Sequence, residues 1–465
     1  MISTEGTRAT LERMFNARSI AVVGASNEKR KFGYMTMDSL IRGGFEGKIY
    51  PVNPKADEIM GLKAYSSVTA IPGTVDLISV IVPAKFVPGV IREAGLKGAV
   101  GAVVHSGGFS EAGQHELETE LLAVAREQGM RIMGPNIQGI NYIPNKMCCM
   151  FLPVIKTEGP LTIITQSGTI TAAISEWSAD EGLGISAAVN LGNQTDLCES
   201  DYLDFFAHDK KTKAILMYLE GVKDGRLFLD ALRKAAAIKP VVVLKGGRTA
   251  VGQRSAASHT GSLASRYEVF ASACRQCGAH VANDLEEAYD AAKALACLRS
   301  PKGRRLLSVS TSGGAGTLAG DHSERYGVNM PLLSKEAVEA IKAAGAPPLA
   351  NLSNPLDMVS LRVEDFERVI LAVAKFAPAD VVLLNLGDPL EGAVELADKL
   401  SRELTASFAV AYFAGGEEEK RGRVAMHRQG QAVFATPERA VRGIGAAMWY
   451  AEYRRKRSLC ERKTQ

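Results

Sequence analysis

The run Ser19-Ile20-Ala21-Val22-Val23-Gly24-Ala25-Ser26 carries the pattern that decides the fold. Apolar, mostly β-branched residues lead into a glycine turn, and helical patterning follows them. A short buried strand that ends in small residues before a helix is typical of the start of a parallel α/β domain. The sequence therefore predicts a strand, a tight turn and a helix at the beginning of a doubly wound sheet.

The same pattern returns twice further along the chain. A run from Leu161 to Thr165 leads into Gln166-Ser167-Gly168, and a run from Leu306 to Ser310 leads into Ser312-Gly313-Gly314. The three runs start at intervals of about 140 residues, which is the length of one α/β domain. We therefore predict an α/β protein with three consecutive doubly wound domains, at residues 8–145, 153–298 and 303–455.

The composition supports a globular protein and excludes several classes of partner. The chain has 465 residues, of which 46% are hydrophobic and 23% charged, so each predicted domain can bury a core. The formal net charge is only +4. Such a balanced charge argues against nucleic acid or an anionic membrane as the main partner.

Cysteine usage and the N-terminus indicate a reduced, cytoplasmic protein. The seven cysteines are odd in number and scattered, and only Cys274 and Cys277 form a C-x-x-C pair. That pair lies in a helix-like stretch with no second pair, so we predict no metal site there. The first residues have no apolar signal core, and no run reaches the ~18 apolar residues of a membrane span.

The first glycine turn differs from a dinucleotide fingerprint. Gly24-Ala25-Ser26 lacks the second and third glycines, and the second strand ends in Asn53-Pro54-Lys55 without an acidic residue. A lysine at that position attracts a phosphorylated ribose. These residues therefore favour a nucleotide with an extra phosphate, either coenzyme A or NADP, and a plain tight turn with an exposed lysine is the alternative.

Two further strand ends are predicted to face the same crevice. Val82-Pro83-Ala84 follows the third strand, and His105-Ser106-Gly107-Gly108 follows the fourth. Both segments offer backbone donors and little side-chain bulk, which suits a long, thin ligand across the sheet edge. Loop segments of this kind are common. They indicate a binding site here because they follow consecutive strands, whose carboxyl ends meet at one edge of the sheet.

The second predicted domain offers an anion site and a nucleophile. Gln166-Ser167-Gly168 is a small-residue turn before a helix, where free backbone N–H groups and the helix dipole bind anions. The segment from Ser255 to Ala264 is small, polar and flexible in composition, with His259 in its middle. A neutral imidazole can accept a phosphoryl group, and Glu220 at a neighbouring strand end could orient it.

No nucleotide-triphosphate site is evident in the sequence. The run Gly43-Gly44-Phe45-Glu46-Gly47-Lys48 ends in Ile49 and begins one residue short of a Walker A motif. No cluster of metal ligands or paired carboxylates stands out either. If ATP is used, we expect another polypeptide to bind it.

Taken together, the motifs resemble the α subunit of ADP-forming acyl-CoA synthetases, of the acetate–CoA ligase type, relatives of succinyl-CoA synthetase. The order and spacing of eight short motifs carry the resemblance over nearly the whole chain. They are Val23-Gly24-Ala25-Ser26, Val52-Asn53-Pro54-Lys55, Gly134-Pro135-Asn136, Thr165-Gln166-Ser167-Gly168, Gly192-Asn193, Tyr218-Leu219-Glu220-Gly221, Ser258-His259-Thr260-Gly261 and Asn354-Pro355-Leu356-Asp357.

The resemblance implies a Rossmann-like CoA-binding domain followed by two flavodoxin-like domains. It implies that His259 carries a phosphoryl group, that Glu220 orients it, and that the Gln166–Gly168 turn with Gly192 and Asn193 binds phosphate. ATP or ADP and Mg²⁺ are expected on a separate ATP-grasp β subunit, in an α2β2 assembly. The reaction implied converts a carboxylic acid, ATP and CoA into acyl-CoA, ADP and phosphate through an acyl phosphate.

Two departures from the family pattern concern the substrate. Ile137 stands where many relatives have cysteine, and Arg266 follows the histidine motif where they often have a different sequence. An acid other than acetate, either bulkier or carrying a second anion, would fit these changes. A non-catalytic CoA-binding regulatory protein and an NADP-dependent oxidoreductase are the alternative functions.

Overall fold

The computed structural model describes residues 4–151, 154–254 and 266–464. The chain forms two compact units, Met1–Ala179 with Gly184–Cys277 and Asp180–Leu183 with Gly278–Gln465. The predicted α/β class is confirmed, with successive sheets that are wholly or largely parallel. The three domain ranges remain a prediction, since the structure separates two units.

The first sheet of the first unit is entirely parallel, and its inner strands are buried. Its strands are β1 (Ser19–Val23), β2 (Lys48–Val52), β5 (Leu77–Val80), β6 (Gly101–Val104) and β7 (Arg131–Met133), in the order β2-β1-β5-β6-β7. A small hairpin is formed by β3 (Glu58–Ile59) and β4 (Leu62–Lys63). The helices of this part are α1 (Thr4–Phe15), α2 (Phe32–Gly43), α3 (Val87–Leu96) and α4 (His115–Glu127).

The second sheet of this unit is mixed. Its strands are β8 (Gly139–Tyr142), β9 (Met147–Met150), β10 (Glu158–Thr165), β11 (Ile185–Asn190), β12 (Ala214–Leu219) and β13 (Val241–Lys245). Within this unit they follow the order β13-β12-β10-β11-β8-β9, and β8 pairs antiparallel with both β11 and β9. The helices are α5 (Gly168–Asp180), α6 (Glu199–His208), α7 (Gly225–Ile238) and α8 (Tyr267–Gln276).

The second unit contains another parallel sheet. Its strands are β15 (Leu306–Ser310), β16 (Leu356–Asp357), β17 (Val381–Leu386), β18 (Ser407–Tyr412) and β19 (Ala432–Phe434), in the order β16-β15-β17-β18-β19, and the short β14 (His280–Ala282) precedes them. The helices are α9 (Leu285–Cys297), α10 (Gly313–Arg325), α11 (Lys335–Ala343), α12 (Val363–Val373), α13 (Ala393–Glu403), α14 (Glu417–Arg428) and α15 (Pro437–Thr464). Among the helices described, none is long and apolar enough to cross a membrane.

Candidate functional site

The first glycine turn lies at the carboxyl edge of the first sheet and is closely packed. Gly24 has φ +92°, and a Cβ placed on it would lie 2.2 Å from the carbonyl oxygen of Ile81. A Cβ on Gly33, the second residue of α2, would lie 2.0 Å from the carbonyl oxygen of Gly24. The turn therefore requires glycine at both positions, because backbone atoms occupy the space that a side chain would need.

The end of β2 is hydrogen-bonded to this turn. Asn53 donates from Nδ2 to the carbonyl of Ala25 over 2.8 Å, and its Oδ1 accepts from the backbone N–H of Lys55 over 2.9 Å. Pro54 and Lys55 are exposed at the same edge. The lysine predicted to face a ribose phosphate is therefore held next to the glycine turn.

The other two predicted strand ends meet at the same edge. Ser106 donates from Oγ to the carbonyl of Val82 over 2.6 Å, so the segments after β5 and β6 are joined. Gly108 has φ +100°, and a Cβ placed there would lie 3.4 Å from the Cβ of Ala84. The twelve residues predicted to bind the coenzyme lie in four segments that follow β1, β2, β5 and β6. The structure brings all four segments to one edge of the sheet. The segments are 24–26, 53–55, 82–84 and 106–108.

The predicted phosphate turn is bound to the segment that contains Glu220. Gln166 accepts from the backbone N–H groups of Glu220 and Gly221, and it donates from Nε2 to the carbonyl of Gly221 over 2.8 Å. Gly168 is the first residue of α5, so the backbone N–H groups of Ser167 and its successors lie at a helix N-terminus. The predicted acid and the predicted anion site therefore lie side by side.

Glu220 is buried, and its negative charge acts on the pKa values of the neighbouring Tyr218 and Lys245. Its side chain is 7% exposed, and its Oε1 accepts a hydrogen bond from the Tyr218 hydroxyl over 3.2 Å. Burial and the nearby carboxylate together raise the pKa of Tyr218 to about 12. Lys245 donates from Nζ to the carbonyl of Glu220 over 2.6 Å, and burial lowers the pKa of that lysine.

The segments after β7 and β11 connect the two sheets at the carboxyl ends of these strands. Asn193 donates its backbone N–H to the carbonyl of Pro135 over 3.0 Å, and Asn136 donates its own to the carbonyl of Ser106 over 3.0 Å. A Cβ on Gly192 would lie 2.2 Å from the Pro135 oxygen. Gly192 and Asn193 therefore lie against the edge of the first sheet.

The side chain of Asn193 is engaged by protein groups. Its Nδ2 donates to a carboxylate oxygen of Glu118 over 3.1 Å and to the hydroxyl of Ser110 over 3.3 Å. Hydrogen bonds to the carboxylates of Glu111 and Glu118 make this an acidic neighbourhood. The phosphate contact predicted for Asn193 stays a prediction. His259 lies outside the described residues.

One residue that the sequence analysis did not assign lies between the two predicted sites. A Cβ placed on Gly168 would lie 1.9 Å from Cδ of Gln138, so the Gln138 side chain covers the first turn of α5. Its Oε1 is buried, and none of the residues that the structure describes donates a hydrogen bond to it. The only sequence signal was its position two residues after the Gly134-Pro135-Asn136 motif.

His105 lies at the crevice edge and is buried. Its Nε2 is 3.0 Å from the hydroxyl oxygen of Ser79. Burial lowers the pKa of the His105 imidazole to about 4, against the weaker effect of the carbonyls of Ile137 and Gln138. This side chain is therefore uncharged at neutral pH.

Comparison with known proteins defines the family. The CoA binding domain family matches residues 18–143, and the succinyl-CoA ligase like flavodoxin domain family matches residues 158–295. The α subunit of acetate–CoA ligase [ADP-forming] I from Pyrococcus furiosus is 38% identical, over 96% of this chain and 100% of that protein. The chain belongs to the α subunits of the ADP-forming acyl-CoA synthetases.

Two further comparisons agree with this family. The α subunit of acetate–CoA ligase [ADP-forming] II from the same organism is 35% identical, over 92% of this chain and 95% of that protein. The solved acetyl-coenzyme A synthetase 1 of Ca. Korarchaeum cryptofilum, in complex with phosphate and ADP, superimposes with a TM-score of 0.88 and is 37% identical. That match covers 97% of this chain and 99% of the solved chain.

These findings confirm the predicted enzyme class and fold. The chain is the α subunit of an ADP-forming acyl-CoA synthetase, a ligase with a CoA-binding domain and a flavodoxin-like domain. The name "subunit alpha" in its relatives implies a partner subunit.

Proposed function

We propose that this subunit transfers phosphoryl groups through His259. In the direction of acid release, phosphate attacks the thioester carbon of acyl-CoA, and CoA leaves as the thiol to give an acyl phosphate. The imidazole of His259 then attacks phosphorus, and the carboxylate leaves. Phosphohistidine finally passes its phosphoryl group to ADP, which forms ATP and restores the free imidazole.

The observation that carries this proposal is the position of Glu220. Glu220 is buried, and its backbone is held beside the N-terminus of α5, because Gln166 accepts from the N–H groups of Glu220 and Gly221 and donates to the carbonyl of Gly221. A phosphoryl group on a histidine needs a carboxylate to orient the imidazole and backbone donors for the phosphate oxygens. Both are present at this place.

We further propose that the partner is an ATP-grasp β subunit in an α2β2 assembly, which binds ATP or ADP with Mg²⁺. The sequence contains no Walker A motif, so a nucleotide site on another chain accounts for an ADP-forming reaction. Among the residues described here, no group of three or more His, Cys, Asp or Glu side chains could hold a metal ion. Among the described residues, the seven cysteines form no disulfide bond, which fits the proposed cytoplasmic location.

The test is phosphoryl labelling of the complete subunit. The protein is incubated with labelled inorganic phosphate and a series of acyl-CoAs, and acid-labile label is measured. We expect label on His259 that is absent from His259→Gln and that an ATP-grasp β subunit with ADP removes as labelled ATP. Glu220→Gln should lower the labelling rate about 10- to 100-fold, as loss of an orienting partner does elsewhere.

Matched controls separate this role from a general loss of structure. His115→Gln and Glu176→Gln change exposed residues of the same unit and should leave the labelling rate unchanged. Coenzyme binding without label from any acyl-CoA would instead indicate a regulatory CoA-binding protein. Tight NADPH binding that CoA does not compete with would indicate an oxidoreductase.

A further inference from the structure

The proposed reaction places the acyl group between two sites on the structure. The CoA thiol arrives from the edge of the first sheet, and the phosphate lies at the N-terminus of α5. The carbonyl carbon must be reached from both, so the rest of the acyl group lies beside the residues that join these sites. Gln138 is one of them, because its side chain covers the first residue of α5.

Three rings pack on one another beside the backbone of Gln138, and we call them the aromatic cluster: Phe32, His105 and Phe151. The ring centroids of Phe32 and Phe151 are 4.4 Å apart with an interplanar angle of 27°, and those of His105 and Phe151 are 5.8 Å apart. Phe151 donates its backbone N–H to the carbonyl of Gln138 over 3.2 Å. The cluster is therefore attached to the phosphate side of the site.

The same cluster is attached to the coenzyme side. Phe32 is the first residue of α2 and immediately precedes Gly33, which packs on the carbonyl of Gly24. His105 is the first residue after β6, one position before Ser106. The aromatic cluster thus extends from the coenzyme turn to the segment that covers α5.

The rings of the cluster are uncharged and offer an apolar surface, although exposed Lys29, Arg30 and Lys31 precede Phe32 in the chain. Phe32 is 54% exposed although it stacks on Phe151, in a chain of which only 6% is aromatic. Exposed ring faces bind planar apolar groups by stacking. His105 is neutral, so this ring contributes an apolar wall and cannot form an ion pair with a second carboxylate. Of the two substrate types that the sequence left open, the structure favours the bulkier one.

We propose that the aromatic cluster is the acyl-binding surface and that the preferred acid carries a planar apolar group, as an aryl acid does, rather than being acetate or a dicarboxylate. This inference rests on the proposed function. It assigns Phe32 and Phe151 as specificity-determining residues and His105 as the wall behind them.

The test compares the affinities of the complete subunit for four ligands by calorimetry: CoA, acetyl-CoA, succinyl-CoA and phenylacetyl-CoA. We expect phenylacetyl-CoA to bind about tenfold more tightly than acetyl-CoA, because one stacked ring contributes an effect of that size. Phe32→Ala and Phe151→Leu should reduce this ratio to about threefold or less, with the CoA affinity unchanged. The control Phe376→Ala removes a ring that is 50% exposed in the other unit and should leave the ratio intact.

Other results would overturn the inference in distinguishable ways. Equal or tighter binding of acetyl-CoA or succinyl-CoA would show that the cluster does not select an aryl group. Equal weakening of CoA and all three thioesters in Phe32→Ala would show that the rings contact the coenzyme itself. If CoA fails to bind to the unchanged protein, the proposed function fails, and the acyl site fails with it. Thermal unfolding of each variant identifies any loss of affinity that comes from misfolding.

Discussion

At the scale of single residues, Gly24 is the position on which the proposed coenzyme site depends most directly. Its φ of +92° disfavours any side chain, and a Cβ would lie 2.2 Å from a backbone oxygen that cannot rotate away. We predict that Gly24→Ala destabilises the protein by about 3 kcal/mol and abolishes measurable CoA binding. Urea unfolding and calorimetry measure the two effects.

Gly73 provides the matched control for this prediction. It has φ +80°, but a Cβ placed on it would meet no atom of the described residues within 4 Å. Gly73→Ala should therefore cost only the backbone strain, about 1 kcal/mol, and leave the CoA affinity unchanged. If both variants lost the same unfolding free energy, the close packing at Gly24 would contribute nothing beyond backbone strain.

At the scale of elements, the sequence predicted the strands that are buried on both faces. The β-branched runs that form β1, β10 and β15 are short, apolar and followed by glycine turns, so local sequence suffices to identify them. The hairpin of β8 and β9 was not predicted. The predicted first domain ends at Asn145, yet the segment Ile143–Asn145 joins these two strands, and β8 pairs with β11. That pairing depends on contacts far apart in the sequence.

The candidate site, like the strands, was predicted from the sequence only in part. The strand ends and the helix N-terminus were predictable, because a parallel sheet brings consecutive carboxyl ends to one edge. The position of Gln138 over α5 and the stacking of Phe32 on Phe151 were not, because they join residues that lie 30 or more positions apart. Side-chain packing between elements leaves no periodic signal in the sequence.

His105, which follows β6, is expected to make the unfolding free energy depend on pH. Burial lowers the pKa of His105 from 6.5 to about 4, so between these values the unfolded chain binds a proton that the folded protein does not. Stability is therefore fully present above pH 6.5 and is lost as the pH falls towards 4. We predict that His105 accounts for about 2 kcal/mol of the difference in unfolding free energy between pH 7 and pH 5.

This pH dependence can be assigned by substitution. Urea unfolding of His105→Gln at both pH values should show a smaller difference than the unchanged protein, by about 2 kcal/mol. His115→Gln, which changes an exposed histidine in the same unit, should keep the full difference. An unaltered difference in His105→Gln would contradict a depressed pKa at this site.

At the scale of the whole molecule, the predicted chemistry and the buried ion pair of Lys293 with Glu181 belong to different units. All described candidate residues lie in the first unit, whereas Lys293 of the second unit is fully buried and its Nζ is 2.7 Å from Oε2 of Glu181. Although burial opposes ionisation, the positive charge of Lys293 and other neighbours hold the pKa of Glu181 down, at about 2. The lysine also faces the rings of Tyr289 and Phe434, each 4.9 Å away.

Removing one partner of such a pair leaves an uncompensated charge inside the protein. We therefore predict that Lys293→Met lowers the unfolding free energy by about 3–5 kcal/mol, and that adding Glu181→Gln restores part of it. The CoA affinity should stay within about twofold of the original, because the proposed coenzyme residues are in the other unit. Lys342→Met, at a pair whose lysine is 57% exposed, should change stability by less than about 1 kcal/mol. Loss of CoA binding in folded Lys293→Met would contradict the independence of the two units. It would show that the buried ion pair acts on the proposed coenzyme site as well as on the stability of its own unit.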